Sequence, residues 1–263
     1  MSATGPATSA ADAATDVIGA TDARPEEPHA PDPGAGHLFE LGRRAAAARD
    51  ARLGRRASFV RARQLLATGA WRGPRDASEF FVEAADLPAL GGLAAAAAAG
   101  ARLLVSPPDL EAQRHAPTDG WRALWRWSFR SGESAARRRA RLDDLRDQLL
   151  RADAAPWGIM PTPEGEAEGL DTLQLIATLR LERPEIPHVV LDVAALGPRL
   201  AQMALGFGGD ELWAPIVSER ALRLGGNAHN PSMTRKEAAI LIRGAGLVPC
   251  ERSGPQTYRE EQE

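Results

Sequence analysis

Cysteine and lysine are almost missing: among 263 residues, Cys250 is the only cysteine and Lys236 the only lysine. One thiol excludes an internal disulfide, a CxxC redox pair and any multi-cysteine metal site built within one chain. The near-absence of lysine leaves arginine to carry the positive charge, a bias read as genome composition rather than as a binding task. Long apolar runs are missing too. Nothing reaches the ~18 consecutive apolar residues of a membrane span, and the start lacks a positive leader followed by an apolar stretch of signal-peptide length. The expectation is a cytoplasmic protein with no membrane segment. Charge of one sign is also in short supply, with a net value of −3 and a folded part close to +2. That is too little for a nucleic-acid footprint.

Catalytic and metal-binding signatures are absent as well. His115, His188 and His229 have no ligand spacing to one another, since neither HxH nor HxxxH occurs, and structural or surface roles are expected for them. The glycine-rich turns "GFGG" and "RLGGN" lack the GxxxxGK[ST] pattern and a third glycine in register, so they resemble phosphate loops only loosely. No G-x-S-x-G elbow marks a nucleophilic serine. Cys250 follows a proline near the end of the chain and reads as a small buried hydrophobe.

What the sequence does contain is alternation. Residues 1–36 carry six acids against Arg24 and are rich in Ala, Pro, Asp, Gly and Thr, so they cannot bury enough apolar surface to offset ordering entropy. A disordered acidic tail is expected there, and a second short one over 254–263. From His37 onward, helical and strand-like segments take turns. "HLFELGRRAAAARDARLG" reads as an amphipathic helix with Leu38, Leu41, Ala45 and Ala48 on its apolar face. "ASFVRARQ" and "SEFFVEA" read as strands, "LPALGGLAAAAAAG" as a helix, and "ARLLVSPP" as a buried strand. "WRALWRWSF" places Trp121, Trp125, Trp127 and Phe129 on one parity, so it reads as a strand whose aromatic stripe is core.

The remaining segments extend the pattern. "GESAARRRARLDDLRDQLLRA" is a helix capped by Ser134, with Leu142, Leu145 and Leu149 as its buried stripe and Arg137, Arg138, Arg139 and Arg141 as a solvated face. "WGIMPTP", "HVVLDVAAL", "ELWAPIV" and "LVPCER" are strands. They are separated by the helices "GLDTLQLIATLRLE", "GPRLAQMALGFG" and "TRKEAAILIRGAG", the last with Thr234 and Glu237 in capping-box spacing. This alternation predicts an α/β fold with a parallel sheet. The strand count points to a partial or compressed (β/α) TIM-type barrel of about six to eight strands over 37–253, with a C-terminal helical extension.

In such a barrel, functional groups gather at the C-terminal strand ends and the loops that follow. The candidates for that pocket are Asp192, Asp210, Glu211, Trp213 and His229, with Thr162, Glu164, Asn227 and Asn230 nearby in sequence. Asp210 and Glu211 are adjacent and point to opposite faces of a strand, so at most one of them reaches a pocket. The competing expectation is a helix-to-strand turn with solvated acids.

Three motifs in order carry a resemblance: "ESAARRRARLDDLRDQL", then "IPHVVLDVAALGPRLAQMALGFGGDELWAPIV", then "MTRKEAAILIRGAGLVPCER". Together they resemble the C-terminal half of the radical SAM enzymes of the futalosine menaquinone pathway, aminofutalosine synthase and dehypoxanthine futalosine cyclase, and the related deazaflavin F420-precursor synthases. The resemblance implies a TIM-type barrel. In the family, the first barrel strand is followed by a CxxxCxxC loop that holds an iron–sulfur cluster. Here "FVRARQ" is followed by "LLATGAWRGPRDASEFF", which has no cysteine. Three thiolates are needed to leave one iron open for SAM. No cluster and no bound SAM are therefore expected, and the radical reaction is not available to this chain alone.

Where the family has GANDLDG, this chain has Gly208, Gly209, Asp210, Glu211, Leu212, Trp213 and Ala214. The tryptophan implies an altered or filled pocket. Intact members of the family are longer, which implies a compressed segment between about 64 and 120 and missing barrel elements. The first expectation is thus a pseudoenzyme that binds or scaffolds an intact radical SAM homologue, or self-associates, because a broken barrel exposes strand edges. The alternative is a cluster-independent enzyme or binder that holds a nucleoside-like ligand through Asp192, Glu211 and Trp213.

Overall fold

The computed structural model describes residues 35–108, 121–152, 156–165, 168–217, 232–253 and 257–260. The expected acidic tail falls outside the described residues up to position 34, as do His115, Asn227, His229 and Asn230. Among the described residues the elements in chain order are α1 (Ala35–Leu53), β1 (Arg56–Leu65), β2 (Trp71–Arg72), β3 (Glu79–Glu83), α2 (Leu87–Leu90), α3 (Leu93–Ala99), β4 (Leu103–Ser106) and β5 (Arg122–Phe129). They continue as α4 (Ala135–Arg151), β6 (Gly158–Pro163), α5 (Gly169–Glu182), β7 (His188–Asp192), α6 (Val193–Leu196), α7 (Pro198–Leu205), β8 (Glu211–Ala214), α8 (Arg235–Gly244), β9 (Val248–Ser253) and β10 (Thr257–Glu260). No helix among them is long and apolar enough to cross a membrane.

Seven parallel strands run in the order β1-β3-β4-β5-β6-β7-β8, and β8 returns to pair with β1, so the sheet closes into a barrel. The closing register sets Ser58 opposite Glu211 and Val60 opposite Trp213. Among the described residues the barrel ring therefore has no open edge of the kind expected from a broken barrel, and the sheet path ends instead at β10, outside the ring. Closure depends on the length of β1. Its residues Ser58–Arg61 pair with β8, its C-terminal half pairs with β3, and its first residues also pair in parallel with β9. Chain within 254–263, expected as a tail, is part of the sheet: Thr257–Glu260 form a strand antiparallel to β9, with Arg259 opposite Glu251.

Side chains alternate across the barrel wall as strand geometry requires. One parity points outward, where Phe59, Trp125, Trp127, Ile159, Val189, Leu191 and Leu212 pack against helix residues such as Leu142, Leu145, Leu173, Leu179, Leu205 and Ile242. The aromatic stripe of β5 is core, as its spacing predicts. The other parity points inward, where Val60, Phe81, Leu103, Val105, Leu124, Met160, Val190 and Trp213 fill the middle of the barrel.

Several local boundaries differ from the sequence reading. In α1 the buried stripe is Gly42, Ala45 and Arg49 with Leu38 and Leu41 half-buried, while Ala48 is exposed. Arg49 displaces Ala48 from that face because its guanidinium donates to the carbonyls of Leu205 and Gly209, which satisfies the end of α7. At Gly42 there is no room for a side chain, since a Cβ would lie 2.6 Å from the Phe207 ring. The predicted helix over 87–100 is two helices, broken where Gly91 and Gly92 take φ of 84° and 95°. The segment read as one strand to Leu196 bends at Asp192, which caps α6. The arginine face of α4 is partly engaged: Arg138 reaches Asp171 at 2.9 Å and Gln174 at 3.0 Å, which ties α4 to α5.

The capping box at α8 is complete. Thr234 Oγ1 accepts from the Glu237 amide at 3.2 Å, and the Glu237 carboxylate accepts from the Thr234 amide at 2.7 Å. Thr234→Ala removes half of this exchange at a helix whose Ala238 and Ile242 sit in the core. The expected cost is about 1 kcal/mol in urea unfolding with an unchanged m value, and a loss below roughly 0.3 kcal/mol would mean the box is not formed in solution.

Candidate functional site

The interior of the barrel has three layers, and the polar ones lie at its two ends. At the N-terminal end, Ser58, Glu79, Arg122, His188 and Glu211 occupy the inward parity of their strands. Into this ring β9 inserts Arg252, which is fully buried. Its Nε donates to Glu211 Oε2 at 2.6 Å, its Nη2 to Glu211 Oε1 at 2.8 Å, and its Nη1 to Glu79 Oε2 at 2.5 Å. Ser58 Oγ donates to Glu211 at 2.6 Å, and Arg122 to Glu79 at 2.5 Å. Burial opposes charge on Arg252, but Glu211 and then Glu79 outweigh it and hold its pKa above the ordinary arginine value. The guanidinium lies 4.3 Å from the centroid of the Trp157 ring, and that ring stacks on His188 at 4.5 Å. These groups form a plug that closes the barrel floor.

Asp210 lies beside the plug, on the opposite parity from Glu211. Its carboxylate accepts from Arg180, from His188 Nδ1 at 3.1 Å and from the Val189 amide at 3.3 Å. Complete burial pushes its pKa up, yet Arg180 and His188 together more than reverse this, so it is held below the usual carboxylate range. Arg180 is shifted down by burial, against the pull of Asp210. Close packing fixes the turn that presents Asp210, because a Cβ on Gly209 would lie 2.7 Å from Leu191 and one on Gly208 would lie 3.0 Å from Arg180.

The C-terminal mouth, where parallel barrels carry their chemistry, has a different lining. Arg126 makes a paired contact with Glu83 at 3.1 and 3.2 Å. Asp192 ends β7 on the inward parity, and its Oδ1 accepts from the amides of Ala194 and Ala195 at 2.9 and 3.4 Å. Burial raises the pKa of Glu83 against the pull of Arg126, and it raises that of Asp192 against its two backbone donors and Arg126. Below them Trp213 is buried edge-on against Phe81, with ring centroids 5.1 Å apart at 75°.

Of the sequence candidates among the described residues, Asp192 and Thr162 stand at the mouth, at the ends of neighbouring β7 and β6. Asp210 and Glu211 begin β8 and so lie at the opposite end of the barrel. They are buried in ion pairs rather than solvated, because the turn before β8 inserts them between Arg180 and Arg252. Trp213 fills the interior between the two ends. Glu164 is at the surface with Arg130, and His229 is outside the described residues. The sequence reading missed Arg252, Glu79 and Arg122 at the floor and Glu83 and Arg126 at the mouth. The signal was available as period two in "EFFVE" and "RALWR", where charges share the inward parity with Phe81 and Leu124.

These positions do not fit an iron–sulfur cluster. The turn that leaves the C-terminal end of β1 is Leu66–Ala70, closed by a hydrogen bond from the Leu66 amide to the Ala70 carbonyl at 2.9 Å, and it carries no thiol. Cys250 sits on β9 opposite Ser58, at the other end of β1, with its thiol pKa raised by burial.

No protein-family model matches the chain. Over 92 residues it is 35% identical to aminodeoxyfutalosine synthase of Thermus thermophilus, covering 35% of this chain and 24% of that protein. Over 86 residues it is 34% identical to 5-amino-6-(D-ribitylamino)uracil--L-tyrosine 4-hydroxyphenyl transferase 1 of Methanosarcina barkeri, covering 32% and 23%. The match thus spans about a quarter of the length of these relatives. Among solved structures, methylornithine synthase superposes with a TM-score of 0.57 at 12% identity, covering 82% of this chain and 90% of that one. A maturase of the FeFe-hydrogenase superposes at 0.52 with 10% identity, covering 82% and 69%. At these identities the likeness is one of fold.

Two outcomes follow from the charges. Arg252→Met leaves Glu79 and Glu211 buried without their shared cation and is expected to cost about 3–5 kcal/mol of unfolding free energy. Adding Glu79→Gln and Glu211→Gln should recover part of that loss; a single variant as stable as the parent would contradict the plug. Asp192 binds a proton more readily folded than unfolded, so it lowers stability as pH rises from the ordinary carboxyl range through its raised folded value. Asp192→Asn keeps an acceptor for the two amides. Its stability relative to the parent is expected to improve as pH increases from about 4 to about 7, and a pH-independent difference would contradict the buried, raised carboxyl.

Proposed function

We propose that this chain, a partial homologue of aminodeoxyfutalosine synthases folded as a closed parallel barrel, is a radical-SAM-like pseudoenzyme. In this reading it holds no iron–sulfur cluster and serves as a binding or scaffolding partner of an intact radical SAM homologue in menaquinone biosynthesis by the futalosine route. The observation that carries the reading is the thiol-free turn Leu66–Ala70 at the strand end where the resemblance implies three cysteines. Two further features support it: Trp213 and Phe81 occupy the barrel interior, and the Glu83–Arg126 pair occupies the mouth above them. A chain that keeps the architecture of a family without the ligands of its chemistry still offers the family's surfaces for association.

A second reading rests on the mouth itself. Glu83, Arg126 and Asp192 present two carboxyls whose protonation is favoured by burial, next to a cation, and this suits hydrogen bonding to a small polar ligand such as a nucleoside. Asp192 keeps its place in that reading, whereas Glu211 leaves it, being committed to Arg252.

Anaerobic affinity capture of the tagged full chain from its native host, with partners counted by mass spectrometry, separates the two. Recovery of an intact radical SAM homologue near one to one is the expected result. The chain recovered alone contradicts the partner reading. A thermal shift with futalosine-type nucleosides, abolished by Asp192→Asn or Arg126→Gln, would then favour the second.

A further inference from the structure

A cavity of about 230 Å³ opens at the N-terminal end of the barrel, outside the plug and away from the mouth. The end of α1 contributes Arg52 and Leu53, the start of β1 contributes Arg56, Ala57 and Ser58, and His188, Asp210 and Cys250 complete its described lining. The polar groups here are already oriented. Arg52 is held by donation to the carbonyls of Pro184 and Ile186 at 3.0 and 2.9 Å through a single nitrogen, Nη1. Arg56 is tethered to Glu260, a pair more than half exposed on both sides. His188 is nine-tenths buried, and its Nδ1 donates to Asp210.

The charge balance of this cavity sets its chemistry. Asp210 is the one carboxylate among the described lining residues, and it is satisfied by Arg180 and His188. Arg56 is balanced by its exposed pair with Glu260, so the net positive charge of the cavity is that of Arg52, with Arg56 open to an anion in exchange for Glu260. Leu53, Ala57 and Cys250 give it an apolar side, and Ser58 Oγ, having donated to Glu211, has lone pairs to offer. Guanidinium groups favour planar or tetrahedral oxyanions because two N–H groups can bond at once. The volume is below that of a drug-sized site and suits a small metabolite.

We propose that this cavity is a second site, which binds a small organic anion with its carboxylate or phosphate against Arg52 and Arg56 and its body against Leu53, Ala57 and Cys250. The site is independent of the pseudoenzyme reading, since it shares no residue with the mouth and requires neither a partner nor a cluster.

The cysteine count gives the test a second readout, because the only thiol, Cys250, lines this cavity. The full chain is titrated at constant ionic strength with inorganic phosphate and with butyrate, followed by calorimetry and by the rate of Cys250 labelling with iodoacetamide. Saturable binding of at least one anion, with slowed labelling, is the expected result, and which anion binds tells phosphate from carboxylate. Arg52→Gln and Arg56→Gln should each weaken it by roughly tenfold, and tetramethylammonium should have no effect. Arg56 is exposed, so its variant is expected to fold even where the Arg52 variant does not. Absence of saturable binding by both anions, or binding undiminished in Arg56→Gln, would overturn the proposal.

Discussion

The buried guanidinium of Arg252, shared between Glu79 and Glu211, is the constraint on which the rest of the molecule depends. It reaches in from β9, a strand outside the closed ring, and bonds to β3 and β8 on either side of β1. Removing three charges from water is costly, and only complete pairing with good geometry offsets that cost. Here the pairing extends further, because Arg122 supports Glu79, Ser58 supports Glu211 and Trp157 covers the guanidinium face. The network therefore selects one arrangement of the barrel floor, and it joins the last strands of the chain to the first.

Closing the floor shapes what remains above it. Trp213 follows Glu211 by two residues, so the parity that buries Glu211 in the plug also sends the indole into the middle of the barrel, against Phe81. The same rule carries Glu83 to the mouth two residues beyond Phe81, and Arg126 two beyond Leu124. The interior is thus assembled in layers by period two, charged at the floor, apolar in the middle and charged again at the mouth. The turn after β1 is closed by backbone hydrogen bonding and carries no thiol, at the place where the sequence resemblance implies a cluster-binding loop.

The fold was largely legible from pattern. Alternating periods gave the strands and helices in order, Ser134 and Thr234 marked two helix starts, and the seven-stranded ring lies within the expected range. Closure was not legible, because it rests on β1 being long enough to pair with β8, β3 and β9, and edge pairing leaves no mark in one strand's own sequence. The site was legible only in part. Asp192 was assigned to the mouth because it comes late in an apolar strand, and it does end β7 there. Asp210 and Glu211 were placed at the wrong end, since a residue that opens a parallel strand lies opposite to one that closes it. Arg252 was hidden among many arginines, and only its contacts distinguish it from a surface charge.

The central claim is that this barrel keeps the architecture of its relatives without their cluster chemistry, and reconstitution tests it most directly. The full chain is incubated anaerobically with ferrous iron, sulfide and reductant, desalted, and assayed for bound iron and, with SAM and dithionite, for 5′-deoxyadenosine. The account predicts no stoichiometric iron and no 5′-deoxyadenosine above a protein-free control. A stable cluster at one per chain, with reductive cleavage of SAM, would contradict it.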